Sequence, residues 1–119
     1  MIVNSGLNLI RNWLANQTQT PPNHGAVGTG TIAEALTNTA LQTEVGSRCA
    51  LRFKTSENGI IDMIFTLLST QGNLGNLTET GVFNASSAGT MFNRLVFIAT
   101  NFNGTFNLKF TIKHTQKDV

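Results

Sequence analysis

The sequence predicts a mainly β protein: an antiparallel β-sandwich, or a partly open barrel, of about six strands with one N-terminal α-helix. In residues 77–97, apolar and polar residues alternate on both sides of a turn rich in Ser, Ala and Gly. Residues 105–113 alternate in the same way, which is typical of strands with one buried face. Near the N-terminus, by contrast, apolar residues recur at the spacing of an amphipathic helix.

The composition fits one domain with a largely uncharged polar surface. The chain has 119 residues, of which 40% are hydrophobic and only 12% are charged. That is about half the charged fraction of an ordinary soluble domain. The length is sufficient to bury one core without disulfide or metal support. We expect one structural domain over residues 1–119, with the helix at 4–16 and a β-sandwich core at 45–115.

The helix is predicted over residues 4–16 because four apolar residues share one of its faces. These residues are Leu7, Ile10, Trp13 and Leu14. Asn4 or Ser5 can cap the helix, since both side chains accept hydrogen bonds from backbone N–H groups. Pro21 and Pro22 disfavour any continuation of the helix. In this register the Trp13 side chain faces the core.

The centre of the chain predicts two strands joined by a tight turn. Residues 45–55 alternate between apolar and polar, as a half-buried strand does. Asn58-Gly59 favours a tight hairpin turn, because both central residues of such a turn need positive φ. Residues 60–68 are apolar on both faces apart from Asp62 and Thr66. This pattern predicts a central strand covered on both sides, one of them by a helix or a neighbouring subunit.

The remaining segments predict further strands and one long loop. Residues 77–97 predict a hairpin, and Asn103-Gly104 predicts a second hairpin turn before the final strand. Earlier in the chain, residues 24–27 predict a short strand and residues 28–31 a glycine-rich turn. Residues 32–43 predict a loop with at most one helical turn.

The side chains that carry chemistry in enzymes and metal sites are scattered. His24, Cys49 and His114 are far apart in the sequence, so their spacing predicts no metal site. Asp62 and Glu79 are two carboxylates that could in principle serve acid–base catalysis. Glu79, however, lies among threonines on a predicted strand and is expected to point to solvent.

The glycine-rich turn at residues 28–31 is a weak candidate for phosphate binding. Glycines allow backbone N–H groups to approach an anion. The Lys-Ser/Thr ending of a phosphate loop is missing here, and no strong helix follows. A tight turn accounts for these glycines, and we expect no enzyme activity, no metal and no cofactor.

A small basic cluster is the candidate binding surface. Arg48, Arg52 and Lys54 share one face of the predicted strand at 45–55, and we interpret them as a protein interface. The alternative is the solvated side of a strand. The net charge is only +2, which is too low for the dense basic stripe that nucleic-acid binding needs. We therefore expect protein partners and no nucleic acid. No window approaches the run of about 18 apolar residues that a membrane span needs, so we expect no membrane partner either.

Several segments together resemble a family of small structural domains from the virions of tailed bacteriophages. The matching segments are residues 2–11 (IVNSGLNLIR), 28–31 (GTGT), 39–41 (TAL), 44–45 (EV) and 77–83 (LTETGVF). Their order and spacing, which span most of the chain, carry the resemblance. It implies a non-catalytic β-sandwich, present in many copies on the particle and held in symmetric assemblies, often homotrimers.

The resemblance implies a virion protein that is made in the host cytoplasm. The sequence has no heptads or repeats of the kind that extend a fibre, which favours a capsid decoration or cement protein. Its partners would be itself, as a homotrimer, and the major capsid protein or other virion proteins. A tail, neck, baseplate or fibre-attachment protein is the alternative. A carbohydrate-binding module is a further alternative, which requires Trp13 or several Phe side chains to be exposed in a cleft.

Overall fold

Residues 1–115 are described by a computed structural model, and they form two antiparallel sheets and one α-helix. The last four residues of the predicted domain, 116–119, lie outside the described residues. The seven strands of residues 1–115 are β1 (His24–Gly28), β2 (Glu44–Ala50), β3 (Arg52–Ser56), β4 (Ile60–Leu67), β5 (Gly75–Phe83), β6 (Met91–Phe102) and β7 (Leu108–Thr115). Helix α1 spans Asn4–Leu14, and a short 3-10 helix spans Ser69–Gln71.

The two sheets are open and pack as a sandwich. Sheet 1 has the strand order β2-β1-β5-β6, and sheet 2 has the order β3-β4-β7. All strand pairs are antiparallel. The predicted fold class, a mainly β antiparallel sandwich with one N-terminal helix, is confirmed. The predicted hairpin at 77–97 is also present, as the antiparallel pair β5–β6.

The strand predicted at 45–55 is in fact two strands that belong to different sheets. β2 ends at Ala50 in sheet 1, and β3 begins at Arg52 in sheet 2. Between them, the backbone N–H of Leu51 donates to the carbonyl oxygen of Asn23 at 2.9 Å. The chain therefore changes sheets at Leu51, which gives seven strands where about six were expected.

The two Asn-Gly pairs lie in different kinds of connection between strands. Asn58 and Gly59 adopt φ values of 63° and 74° between β3 and β4, so the first predicted hairpin turn is confirmed. The segment with Asn103 and Gly104 instead carries the chain from sheet 1 to sheet 2, because β7 pairs with β4 and not with β6. The second predicted hairpin is therefore wrong.

Helix α1 ends two residues earlier than predicted and has no side-chain N-cap. Asn16 takes φ of 58°, a left-handed conformation that ends the helical ladder before the prolines are reached. The position before the helix is held by Val3, which makes no side-chain capping bond. Ser5, a predicted cap, donates its hydroxyl to the carbonyl oxygen of Met91 at 2.6 Å. Helix α1 is thereby tied to the first residue of β6.

Buried side chains form two clusters on the two sides of sheet 1. The larger cluster lies between the sheets and consists of Leu9, Val27, Met63, Phe65, Leu67, Leu77, Val82, Phe92, Phe102 and Ile112. The smaller cluster lies where the 29–43 loop and the N-terminus cover sheet 1, and consists of Val3, Ala26, Leu41, Phe83 and Met91. The 29–43 loop, which contains no helix or strand, thus acts as a third layer.

Candidate protein-interaction surface

Arg48, the first residue of the predicted basic cluster, is engaged inside the fold. Its guanidinium lies 3.7 Å from the centre of the Phe83 ring and contacts Glu44 at 3.0 Å. It also donates to the carbonyl oxygens of Ala85 at 3.1 Å and Ala88 at 2.7 Å. The side chain is only 8% exposed. Arg48 therefore fixes the β5–β6 turn against β2. Although Arg48 and Arg52 line the same groove, the guanidinium of Arg48 is largely buried and is not part of an exposed cluster with Arg52 and Lys54.

Arg52 and Lys54 do share a face with two lysines of β7. Residues directly opposite each other in an antiparallel ladder project to the same side of the sheet. Across sheet 2 the register aligns Lys54 with Asp62 and Lys113, Arg52 with Ile64 and Thr111, and Thr66 with Lys109. We call the outer surface formed by Arg52, Lys54, Lys109 and Lys113 around Asp62 the cationic face.

The cationic face is more positive than the chain as a whole. Four cations and one carboxylate give it a formal net charge of +3, whereas the whole chain has +2. Its four cationic side chains are exposed. Within residues 1–115 the ion pairs closer than 4.0 Å are Glu44–Arg48 and Glu79–Arg94, so no described carboxylate neutralises these four at contact distance.

Ile64 and Asp62 form the centre of the cationic face. Ile64 is 8% exposed although it lies on the outer side of β4, opposite Arg52. Its ladder neighbours are Arg52 and Thr111, and a long Arg side chain can cover apolar surface with its methylene stem. Cover of this side of β4 by a helix or a neighbouring subunit stays a prediction. One Asp62 carboxylate oxygen is buried and has no hydrogen-bond partner among the described residues.

A groove borders the cationic face where the chain changes sheets. It has a volume of about 470 Å³ and lies between β2 and β4, with Arg52, Ile64 and Thr66 on one side and Cys49 on the other. Burial raises the pKa of the Cys49 thiol, and the hydrogen bond from Gln71 offsets part of this rise. A thiol held protonated is a poor nucleophile, so the groove has no activated cysteine.

Glu79 is buried, and the prediction that it points to solvent is wrong. Its carboxylate accepts the backbone N–H groups of Gly30, Gln42 and Thr43, each at 2.8 Å, and the Nε–H of Arg94 at 3.0 Å. Burial alone would raise the pKa of Glu79, but these backbone and Arg94 hydrogen bonds lower it below the ordinary glutamate value. A buried, ionised carboxylate that accepts this many hydrogen bonds has a structural role, because it holds the 29–43 loop and Arg94 in place.

The glycine-rich turn approaches an anion that belongs to the chain itself. A Cβ on Gly30 would lie 2.5 Å from the Glu79 carboxylate oxygen, and one on Gly28 would lie 2.6 Å from it. Only glycine lets the backbone come this close. The feature that resembled a phosphate loop therefore binds the carboxylate of Glu79.

The described residues offer few of the groupings that catalysis or metal binding needs. Within residues 1–115 no three His, Cys, Asp or Glu side chains come close enough to hold a metal ion together. Asp62 lies on the outer face of sheet 2, whereas Glu79 lies beneath the loop that covers sheet 1. These two carboxylates therefore form no catalytic pair.

An apolar cleft opens at one end of the sandwich, between α1 and sheet 2. Its volume is about 440 Å³, and its walls are Ile10, Trp13, Pro21, Pro22, Phe53, Ile61, Met63, Phe92 and His114. Phe53 is 45% exposed, and Trp13 is half-buried. The prediction that Trp13 faces the core is thus only partly met. His114 is half-buried, with its ring 5.7 Å from that of Phe92.

The cleft has aromatic walls but few hydrogen-bonding groups. The indole N–H of Trp13 donates to the carbonyl oxygen of Gln19 at 3.4 Å. Apart from Trp13 and His114, the side chains of the cleft are entirely apolar. Sugars require directed hydrogen bonds as well as stacking, because a buried hydroxyl without a partner is costly. The cleft therefore suits an apolar group better than a carbohydrate.

Sequence reasoning missed Lys109 and Lys113 as members of the cationic face. The signal was present, since both occupy polar positions of the alternating strand at 105–113. What the sequence did not reveal is that β7 pairs with β4, which brings them next to Arg52 and Lys54.

None of the helices in residues 1–115 is both long and apolar enough to cross a membrane. Comparison of the chain with protein-family models, with curated proteins and with solved structures found no match.

Proposed function

We propose that this protein is a non-enzymatic structural component of a tailed-phage virion that docks through its cationic face onto an acidic protein surface. The observation that carries the docking proposal is the alignment of Arg52, Lys54, Lys109 and Lys113 on one side of sheet 2. The virion assignment rests on the sequence resemblance. Among the roles of virion proteins, we propose first that of a capsid decoration or cement protein bound to the major capsid protein.

The shape of the cationic face favours a protein partner. Neighbouring strands are about 4.8 Å apart, and residues two apart on one strand are about 6.8 Å apart. The four cations are thus spread over an area suited to several separate carboxylates. Asp62 at the centre would repel a phosphate backbone. The described positions on this face contain no aromatic residue on which a base could stack.

The acidic partner groups have to come from another molecule. Among the described residues, Glu44 and Glu79 are held in ion pairs. A Glu34 carboxylate oxygen accepts the backbone N–H of Val96 at 3.2 Å. Glu57 and Asp62 are the remaining carboxylates of residues 1–115, so the described part of a second copy offers few free carboxylates to the cationic face, and a different virion protein fits better.

Docking of this kind would strengthen a particle because many copies of the protein bind to it. A surface patch with net charge +3 gives a modest affinity per copy, and complementary charge contributes chiefly to the rate and specificity of encounter. Many copies on a symmetric shell add their weak contacts through effective concentration. A tail, neck or baseplate attachment protein would use the same face, and copy number distinguishes these locations.

Occupancy on purified particles tests the proposal. Particles of the virus that encodes the chain would be stripped of the protein and reloaded with wild type, Arg52→Glu or Ile98→Asp. Ile98 is the control, because it is 90% exposed on β6 and lies outside the cationic face. We expect Arg52→Glu to reduce occupancy at least tenfold and Ile98→Asp to leave it unchanged. Equal occupancy of all three proteins would refute docking through the cationic face.

Density mapping on intact particles settles the location. Hundreds of copies on the head would support the decoration protein, and about a dozen at the neck or tail would support the alternative. Absence of the protein from purified particles would refute the virion assignment itself.

A further inference from the structure

Helix α1 carries an apolar stripe in which two leucines are exposed beside a partly buried isoleucine. Leu7, Ile10 and Leu14 are three and four residues apart, so they lie along one side of the helix. Leu14 is 85% exposed and Leu7 is 46% exposed. Ile10 is at the same time a wall of the apolar cleft. The stripe and the cleft therefore form one continuous apolar surface, which we call the α1 patch.

The α1 patch contains both a protrusion and a recess. Leu14 projects at the last residue of the helix, directly after Trp13, which lines the cleft. A contact with two-fold symmetry requires a surface that is complementary to itself, with each element of the pair present on both partners. A protrusion beside a recess of matching apolar character meets this requirement.

We propose that the α1 patch is the contact through which two copies of the chain associate about a two-fold axis. In this pair, Leu14 of each copy enters the cleft of the other, against Trp13 and Phe53. The resemblance to virion domains implies a homotrimer, and residues 60–68 were expected to be covered on one side by a helix or a neighbouring subunit. The outer face of β4 belongs to the cationic face, and the adjacency of protrusion and recess on α1 favours a pair.

The area of the α1 patch is sufficient for a specific pair. A large side chain that is about half exposed offers on the order of 100 Å² to a partner. Leu7, Leu14 and Phe53, together with the walls of the cleft, therefore offer several hundred Å² per copy. Two copies would bury about 1,000 Å², which is near the lower limit for a specific protein interface. We accordingly expect a dissociation constant in the micromolar range.

The charge of the α1 patch is also low, as the centre of an interface requires. Among the residues of α1, Arg11 is the charged one, and its guanidinium lies 3.1 to 3.2 Å from the side-chain oxygen of Asn12. No other ionic group on the helix would be desolvated when two copies meet.

The pair would leave the cationic faces free. Along β3, Phe53 points into the cleft, whereas its neighbours Arg52 and Lys54 point to the opposite side of the sheet. Two copies joined through the α1 patch would therefore present two cationic faces outward. This bivalency rests on the proposed function, but the pairing itself does not.

Sedimentation of the purified protein tests the pair without any particle. Wild type would be compared with Leu14→Asp and with Ile98→Asp. Ile98 is the control, because it is 90% exposed on β6 and lies outside the α1 patch. We expect wild type and Ile98→Asp to sediment as dimers at tens of micromolar. We expect Leu14→Asp to be monomeric, with dimerisation at least tenfold weaker. Its circular dichroism should match wild type, because Leu14 is almost fully exposed.

The single tryptophan gives a local readout of the same event. Trp13 lines the cleft, so its emission should shift to shorter wavelength as the wild-type concentration rises, and should not shift in Leu14→Asp. A monomer at all concentrations, a mass other than the dimer's, or a dimer that survives Leu14→Asp would overturn the proposal. A Trp13 shift that requires a different virion protein would overturn it too, since it would assign the cleft to that protein.

Discussion

The Nε atom of Arg94 on β6 lies 3.0 Å from Oε1 of Glu79 on β5, and both side chains are almost completely removed from solvent. The same guanidinium donates to the side-chain oxygen of Asn38 at 3.1 Å and to the carbonyl oxygen of Ile32 at 2.8 Å. Together the two residues hold the 29–43 loop against sheet 1. The pair is thus the polar anchor of a loop that has no regular secondary structure of its own.

Neutralising Glu79 should destabilise the fold strongly. Glu79→Gln leaves the Arg94 charge buried without its counter-ion, and the new amide group cannot accept all of the bonds now made to the carboxylate. We expect a loss of about 3–5 kcal/mol in the free energy of unfolding, as for other broken buried ion pairs. Chemical denaturation measures this loss. Glu57→Gln, at an exposed residue of the β3–β4 turn, is the control and should change stability by under about 0.5 kcal/mol.

Stability should fall in acid because of the same residue. Hydrogen bonds from the loop backbone and Arg94 outweigh burial and lower the pKa of Glu79 in the folded protein. The unfolded chain therefore takes up the proton first as the pH falls. The contribution of Glu79 is complete above about pH 4.5 and is lost progressively as the pH drops through the lower folded-state value. Unfolding curves between pH 7 and pH 2 should show this loss in wild type and a flatter profile in Glu79→Gln.

Substitutions of Arg48 and Arg52 should have different effects, because Arg48 stabilises the fold whereas Arg52 belongs to the proposed docking surface. Arg48→Ala removes the cation–π contact with Phe83 and two bonds to turn carbonyls, so we expect a loss of about 2–3 kcal/mol. Arg52→Ala removes an exposed charge and should change stability by under about 0.5 kcal/mol. Thermal unfolding compares the two variants, and particle binding of Arg52→Ala should weaken. Equal stability losses would contradict the different roles assigned to these arginines.

Local patterns predicted the strands well because each pattern reports on its own segment. Alternation identified β5, β6 and β7, and the Asn58-Gly59 pair identified the β3–β4 turn, since positive φ is a property of those two residues. It was harder to predict which strands pair with each other. The break at Leu51 and the crossing at Gly104 both move the chain to the other sheet, and neither changes the alternation of the flanking residues.

Burial of polar groups could not be predicted for a related reason. The backbone N–H of Gly30 donates to Glu79, although the two residues are 49 positions apart in the sequence. A pattern of neighbouring residues therefore cannot show that the Glu79 carboxylate is buried. The cationic face was predicted in part, because Arg52 and Lys54 are close in sequence. Its other half depends on β4 pairing with β3 on one side and β7 on the other.

Asp62→Asn should strengthen docking if the cationic face works through charge. Asp62 lies between Lys54 and Lys113 in the register, and its removal raises the formal charge of the face from +3 to +4. At a separation of about 7 Å near the surface, one such charge is worth about 1 kcal/mol, or roughly fivefold in affinity. Stability should change by no more than about 1 kcal/mol, because one carboxylate oxygen makes no hydrogen bond with the described residues. Titration of the variant and wild type onto stripped particles at low and high salt measures the effect. A gain at low salt that disappears at high salt identifies electrostatic docking, whereas weaker binding would mean that Asp62 itself contacts the partner.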